Sequence, residues 1–341
     1  GIVAVVARRG AANDHAPPGH GHDELSPTTA EASARFDLSP TSGGARPAGL
    51  EQFRIPELPA GTAFGSAVHE IFERLVIDPA ADPTTRAMSV SRVVAEVATS
   101  ALLRPHHQPL TAMITAALET PFGGPPEAPF RDRCFADFPP VDRLVELDFE
   151  MGLAQHAAGV KAADIGHLLA ACLPGDDPLS DYARLLSGPA FDIPLAGLIN
   201  GSIDTVLRLP GRPADDPWLI IADYKTNRLH RCDEAVPLAA YAPDRLVTAM
   251  TEHHYPLQAL VYGTAVYRLL RWRLGPLKPA DWDPGENIAG VVYGFTRGMH
   301  GPDTPADDAG HRYGVFAWVP PVKIWRQLSD LFAGNRLEAG R

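Results

Sequence analysis

The sequence predicts a mixed α/β fold, in which a central sheet is flanked by helices and preceded by further helices. Strand-like segments occur at residues 142–153 and 200–225, and two more follow late in the chain. Segments with helical spacing lie before, between and after these strands. The chain has 341 residues, of which 45% are hydrophobic and 21% are charged. It is therefore long enough to bury at least one large core.

The composition narrows the class of protein. Cys134, Cys172 and Cys232 are isolated from one another and odd in number, which argues against a disulfide framework and against a cysteine metal cluster. The apolar run at the start of the chain is too short for a signal peptide, and no stretch approaches the roughly 18 apolar residues of a membrane span. We therefore expect a soluble, cytoplasmic protein without membrane contact.

The net charge of −11 is unusual for a protein that binds nucleic acid, because such proteins normally present a basic surface. The segment 267–274, YRLLRWRL, concentrates Arg268, Arg271 and Arg273. A solvated helix face explains these arginines equally well, and a partner subunit could supply a positive channel. Charge alone therefore leaves nucleic-acid binding open.

Residues 1–60 are rich in Pro, Gly, Ala, Ser and His and have no sustained period, which predicts a flexible linker or tail. We interpret His15, His20 and His22 as part of this tail and not as metal ligands. The chain starts with Gly and not Met, so we expect a fragment whose upstream part is missing. Residues 61–341 are predicted to form one folded domain.

The first element of that domain is a predicted helix that starts at Gly61. His69 lies beside its apolar stripe and shares a face with Glu73, four residues later. This spacing leaves a zinc site conceivable, although a hydrogen-bonded structural histidine is the commoner case. Residues 88–120 are predicted to be further amphipathic helix. The apolar stripe of the first helix consists of Phe64, Val68, Ile71, Phe72 and Leu75.

Two strands joined by a Pro/Gly/Asp turn at 210–217 are predicted in the segment 200–225. The second strand ends in Asp223, Tyr224 and Lys225. Side chains alternate between the faces of a strand, so Asp223 and Lys225 share one face and Tyr224 points to the other. Pairing of the strands about the turn would place Asp204 near Asp223. Two buried carboxylates repel each other, and a hard divalent cation is the usual way to hold them together.

The D-x-K sequence alone is more often an ordinary ion pair at the end of a strand. Here Asp204 stands 19 positions before Asp223, with a strand-like apolar run between them. This wider pattern is that of PD-(D/E)xK nucleases, in which Mg²⁺ and a lysine drive hydrolysis of a phosphodiester.

Two flanking segments offer further candidates. Residues 142–153 alternate as a strand and place Glu146 and Asp148 on one face. If this strand neighbours the 200–225 pair, Glu146 is a third metal carboxylate, and Asp148 is the alternative. After Lys225, an amphipathic helix carries Gln258 and Tyr262 four residues apart on one face. Segments 288–298 and 313–321 are predicted as late strands, and 324–334 as a closing helix.

Together these motifs resemble the C-terminal nuclease domain of the RecB subunit of RecBCD (exodeoxyribonuclease V), within the PD-(D/E)xK superfamily. The resemblance runs from about residue 61 to residue 334 and implies a restriction-endonuclease-like core at about 140–300, with helical elaborations. The matching segments are GTAFGSAVHEIFE, ELDFE, GSIDTVLR, IIADYKTN, YPLQALVYGTAVYRLLR and GVVYGFTRGM.

The resemblance implies roles for the residues in these segments. Lys225 would orient the attacking water and offset charge on the phosphate. One or two Mg²⁺ ions would be held by Asp204, Asp223, Glu146 and the main-chain carbonyl of Tyr224. His69 is left open as a further ligand. The implied catalytic set is Lys225, Asp223, Asp204, Gln258, Tyr262 and His69.

The resemblance also implies partners and a pathway. These are DNA, as single-stranded ends or unwound strands, RecC- and RecD-like subunits, an upstream RecB helicase part and the recombinase RecA, in double-strand break repair and recombination. We find no G-x-x-x-x-G-K-[ST] phosphate loop, so no ATP site is expected in this chain. With three cysteines and no C-x-x-C, no iron–sulfur cluster is expected.

Two other classes of protein compete with a nuclease. One is a catalytically inactive module that keeps the fold and docks partner subunits or a recombinase. Intact Asp204, Asp223 and Lys225 argue against it. The other is a glycosidase with paired carboxylates, which is disfavoured because D-x-K places a lysine where a second acid is expected.

Overall fold

The computed structural model describes residues 49–154, 160–213, 215–231 and 233–335. His15, His20, His22 and Cys232 lie outside the described residues, as does the predicted tail up to residue 48. Residues 49–60, which the sequence assigned to that tail, contribute Leu50 and Leu58 to the hydrophobic cores. Within the described part of the chain, no helix is both long and apolar enough to cross a membrane.

Among the described residues, three α-helices precede the first strand of the sheet. The helices are α1 (Thr62–Arg74), α2 (Pro83–Val97), α3 (His107–Glu119), α4 (Ala162–Cys172), α5 (Ser180–Leu186), α6 (Pro243–Glu252), α7 (Tyr255–Leu274) and α8 (Lys323–Phe332). The strands are β1 (Arg143–Gly152), β2 (Val160–Lys161), β3 (Pro194–Leu195), β4 (Leu198–Arg208), β5 (Leu219–Lys225), β6 (Ile288–Phe295) and β7 (Val315–Trp318).

Five strands form the central sheet in the order β1-β4-β5-β6-β7. Only β5 and β6 run parallel, and the connection between them contains α6 and α7. The pairs β1–β4, β4–β5 and β6–β7 are antiparallel. The predicted mixed α/β fold is thus confirmed, and the sheet with its flanking helices is consistent with a restriction-endonuclease-like core.

The sheet separates two hydrophobic cores, and β5 shows how the sequence produces them. Ile221 packs into the core formed with α4 to α8, whereas Ile220, Ala222 and Tyr224 pack into the core formed with α1 to α3. A strand that is buried on both faces has apolar residues at odd and even positions. The continuous apolar run of β5 therefore places this strand at the centre of the sheet, with helices on both sides.

Helix α7 approaches α8 closely at a glycine. A Cβ on Gly263 would lie 2.0 Å from the Trp325 ring, and this indole is completely buried. Gly275, which follows the last residue of α7, also has helical dihedral angles, but a Cβ there would meet no atom within 4 Å. The two positions therefore form a matched pair that differs in the space available.

We expect Gly263→Ala to lower the free energy of unfolding by about 1–3 kcal/mol, because the rigid indole must move to admit the methyl group. The roughly 1 kcal/mol that alanine contributes in a helix interior offsets only part of this cost. Gly275→Ala should leave the stability unchanged or raise it by up to about 1 kcal/mol. Urea denaturation of both variants checks this, and equal stabilities would contradict the described α7–α8 contact.

Candidate active site

The candidate site lies where β4 and β5 separate. On the side of Asp204 and Asp223 their pairing stops at Thr205–Ala222, whereas β5 continues to pair with β6 as far as Lys225. The main-chain N–H of Tyr224 donates instead to Asp204 Oδ2, at 3.1 Å. The carboxylate of Asp204 thus replaces the missing strand partner, which holds this side chain in the gap between the strands.

Helices from opposite sides of the sheet meet at this gap. His69 on α1 places Nδ1 3.2 Å from Asp204 Oδ2. On α7, Gln258 accepts a hydrogen bond from Lys225 Nζ at 3.1 Å through Oε1. Its Nε2 donates to the hydroxyl of Tyr262 at 2.8 Å. Because β4 and β5 are not paired here, side chains from the helices on both sides of the sheet reach the charged groups of Asp204 and Lys225.

Asp223 and Lys225 lie on one face of β5, as the alternation of the strand predicts. Lys225 Nζ is 2.8 Å from Asp223 Oδ1, and the Asp223 side chain is only 1% exposed. The second carboxylate oxygen, Oδ2, is buried and accepts no hydrogen bond from the described residues. Tyr224 points the other way and stacks on Phe72 with 3.9 Å between ring centroids.

The protonation of these groups follows from burial and mutual charge. Burial, together with the nearby Asp204 charge, raises the pKa of Asp223 to about 7 against the opposing effect of Lys225. For Asp204, burial acts in the same direction, but the His69 imidazolium and Lys225 outweigh it and lower the pKa. Burial lowers the pKa of His69, but Asp204 more than compensates and raises it to about 9. The two carboxylates therefore differ strongly in acidity.

Glu146 on β1 reaches this group through an unusual backbone conformation. Its φ is 47°, which is rare for a residue other than glycine, and it interrupts the pairing of β1 with β4 between Val145–Thr205 and Leu147–Ile203. Ligand atoms of His69, Glu146 and Asp204 lie within 4.8 Å of one another. Among the described residues this group contains neither Asp148 nor Asp223.

Comparison with known proteins gives a consistent result, although no family model matches the chain. RecBCD enzyme subunit RecB of Mycobacterium tuberculosis is 42% identical over 295 residues, which is 84% of this chain and 25% of that protein. RecB of Mycolicibacterium smegmatis is 38% identical over 317 residues, 89% of this chain and 27% of that protein. RecB of Escherichia coli is 26% identical over 283 residues, which is 83% of this chain and 20% of that protein.

This chain is similar to one part of RecB. The predicted resemblance is thereby confirmed, and the match is consistent with the C-terminal region of that subunit. The chain spans about a quarter of the length of the curated RecB relatives it matches. The remainder of RecB, with any activity located there, lies outside the part that this chain covers.

The residues of this candidate site fit a divalent cation. Asp223 Oδ2 is a buried carboxylate oxygen without a hydrogen-bond donor among the described residues. The nearby group of His69, Glu146 and Asp204 offers an imidazole nitrogen and two carboxylates within 4.8 Å of one another. Burial also raises the pKa of Glu146, and the Asp204 charge acts in the same direction. The charge of Asp204 therefore destabilises the ionised form of both Glu146 and Asp223. A cation would relieve this repulsion, and carboxylate oxygens are the ligands that Mg²⁺ prefers.

Sequence reasoning missed two aromatic residues of the site. Lys225 Nζ lies 4.1 Å from the centroid of the Tyr255 ring and 5.3 Å from that of Tyr293. Tyr255 stands three residues before Gln258 and is therefore on the same face of α7, a spacing that could have revealed it. Tyr293 carries no such signal, because only the parallel register of β5 and β6 sets it opposite Asp223.

Because a metal must displace the proton from Asp223, we expect Mg²⁺ binding to weaken as the pH falls below about 7. The sign follows from the raised pKa: below pH 7 the folded chain holds a proton that the ion has to replace. The affinity should fall by up to about tenfold per pH unit. Calorimetric titration with Mg²⁺ from pH 5.5 to 9 measures this.

Asp223→Asn is the control, since it should bind Mg²⁺ more weakly and show a flatter dependence near pH 7. A further rise in affinity between pH 7 and 9 that His69→Gln abolishes would identify His69 as a ligand. Affinity that does not change between pH 5.5 and 7 would contradict the role of Asp223.

Proposed function

We propose that this chain is a Mg²⁺-dependent nuclease that hydrolyses phosphodiester bonds of DNA. It would serve as the nuclease part of a RecBCD-type helicase–nuclease in double-strand break repair and recombination. The observation that carries the proposal is the convergence of Asp204, Asp223 and Lys225 where β4 and β5 separate. Similarity to RecB supports the same function.

The metal site would be formed by the carboxylates of the gap. Its ligands would be Asp204, Asp223, Glu146 and the main-chain carbonyl of Tyr224, with His69 as a further candidate. A bound Mg²⁺ would lower the pKa of a water molecule and offset negative charge on the phosphate. His69 would orient Asp204 through the contact at Oδ2, which leaves Oδ1 of that carboxylate to the ion.

Lys225 would supply a fixed positive charge beside the scissile phosphate. Burial opposes its charge, but Asp223 and the other surrounding groups outweigh this and raise its pKa, so the ammonium is protonated at neutral pH. An ammonium has only donors and cannot be a metal ligand. It can donate to the attacking water or to a phosphate oxygen, and Gln258 fixes its direction through the hydrogen bond at Oε1.

The partners of this activity are part of the proposal. The substrate would be DNA as single-stranded ends or unwound strands, as for an exodeoxyribonuclease V. The partners would be RecC- and RecD-like subunits, an upstream RecB helicase part and RecA, and the location would be the cytoplasm. A catalytically inactive docking module remains the competing function, and the following variants separate the two.

Lys225→Ala should reduce Mg²⁺-dependent cleavage of linear single-stranded DNA by about 10²- to 10³-fold, as expected for loss of one charge-stabilising group. Its Mg²⁺ affinity should remain close to that of the wild type. Asp223→Ala should abolish cleavage and also weaken Mg²⁺ binding, because it removes a ligand. Cleavage assays with Mg²⁺ or EDTA, combined with calorimetry, measure both effects.

Lys161 and Asp192 provide a matched control, because they form an ion pair of similar length, 2.6 Å, at the surface. Alanine at either position should leave cleavage and Mg²⁺ affinity unchanged. Cleavage that survives Asp223→Ala would refute the assignment. Equal loss of metal affinity in Lys225→Ala and Asp223→Ala would show that Lys225 maintains the structure instead.

Gln258→Ala and Tyr262→Phe should each lower turnover and leave the fold intact. Gln258 is bonded to Lys225 and Tyr262 to Gln258, so the loss should be larger for Gln258→Ala, by about tenfold or more, than for Tyr262→Phe. Turnover rates and thermal melts check this. Full activity in both variants would return these side chains to an ordinary polar helix face.

A further inference from the structure

The ammonium of Lys225 is enclosed by more than its ion-pair partner Asp223 and the hydrogen-bond acceptor Gln258. Besides Asp223 and Gln258, the rings of Tyr255 and Tyr293 face it, at 4.1 and 5.3 Å from Nζ. The lysine side chain is only 11% exposed. Two aromatic faces thus complete the surroundings of the charge that the proposed reaction uses.

Aromatic faces hold a cation in a different way from hydrogen-bond acceptors. They attract the charge through the ring quadrupole and do not fix the direction of an individual N–H. Of the three donors of the ammonium, one faces Asp223 and one bonds to Gln258. Contact with the rings keeps Nζ in place and leaves its third donor available for a substrate oxygen or a water.

Tyr255 is itself held by several contacts. Its hydroxyl donates to Asn227 Oδ1 at 3.1 Å, two residues beyond Lys225 in the chain. Its ring stacks on Tyr293 with 5.9 Å between centroids and 23° between planes. The hydroxyl of Tyr293 in turn lies 3.2 Å from Gln258 Oε1, the atom that accepts from Lys225. The hydrogen bond to Asn227 and the stacking on Tyr293 therefore hold the ring of Tyr255 in a fixed position relative to the ammonium.

We propose that Tyr255, supported by Tyr293, is a positioning residue that holds the Lys225 ammonium for the reaction. This inference rests on the proposed nuclease function for its catalytic consequence, but the contact itself can be tested separately. A bulky apolar side chain would fill the same space as Tyr255 without attracting the charge. Phenylalanine would keep the ring face and lose the hydroxyl group that donates to Asn227.

Kinetic measurements on the full chain test the catalytic consequence. Tyr255→Leu should lower kcat for single-stranded DNA by about threefold to thirtyfold, the range expected for a cation–π contact. Its KM should change much less, because the misplaced charge acts mainly in the transition state. Tyr255→Phe should recover most of the lost turnover. A purely structural role predicts instead that activity follows the melting temperature in both variants.

Nuclear magnetic resonance tests the contact without requiring activity. The sequence contains four lysines, Lys161, Lys225, Lys278 and Lys323, so the ε-CH₂ signals of ¹³C-labelled lysine are few, and Lys225→Arg assigns the relevant one. Ring currents should shift the Lys225 signal upfield of that of the surface residue Lys161. Tyr255→Leu should reduce this shift, and Tyr255→Phe should keep it.

Lys278 provides the matched control, since its Nζ lies 5.8 Å from the centroid of the Trp282 ring and Trp282 is outside the candidate site. Trp282→Leu should move the Lys278 signal and leave kcat unchanged. A Lys225 signal that Tyr255→Leu does not move would overturn the inference, and so would unchanged kcat in that variant. If the wild type cleaves no DNA, the proposed function fails, while the lysine signals still decide whether Tyr255 holds Lys225.

Discussion

Electrostatic repulsion between buried carboxylates is the constraint on which the site depends. Asp204 lies close enough to Asp223 for its charge to raise the pKa of that carboxyl, and Asp223 is almost completely buried. Isolated buried charges cost several kcal/mol unless they are paired. Here Lys225 offsets one carboxylate and His69 the other. The pairing is incomplete, because one oxygen of Asp223 has no hydrogen-bond donor among the described residues. An additional positive charge would therefore stabilise this site.

Two buried arginines hold helix α1 against the sheet and so place His69 beside Asp204. Arg143 on β1 donates to the carbonyl oxygens of Phe72 and Leu75 at the C-terminal end of α1. Arg297, which follows β6, donates to Leu58 O, before α1, and to Thr226 O, directly after Lys225. Both guanidinium groups donate to main-chain carbonyl oxygens near the ends of helices and strands. Regular secondary structure leaves such oxygens without a partner. The position of His69 therefore depends on residues well separated from it in the sequence.

Contacts of the site could be predicted from the sequence where the residues are close together in the chain, and could not where they are far apart. Alternation along β5 was enough to place Asp223 and Lys225 together, and the helical period did the same for Gln258 and Tyr262. The preference for Glu146 over Asp148 was not predictable, because it depends on the positive φ of Glu146 and on an interruption in the β1–β4 ladder. Tyr293 depends on the register of two parallel strands, which no local period encodes. For the same reason the two-stranded sheet of β2 and β3 was not predicted.

The arrangement favours the proposed nuclease over a module that only docks partners. A docking module needs the sheet, the two cores and an outer surface, and it gains nothing from three carboxylates in a gap of the sheet. Replacing a buried ion pair by apolar residues is often neutral or stabilising. This chain nevertheless carries Lys225 in contact with both Asp223 and Gln258, and the rings of Tyr255 and Tyr293 enclose its ammonium. Local departures from good packing of charge are expected where they serve chemistry, and chemistry is the role that the proposed function gives to the position where β4 and β5 separate.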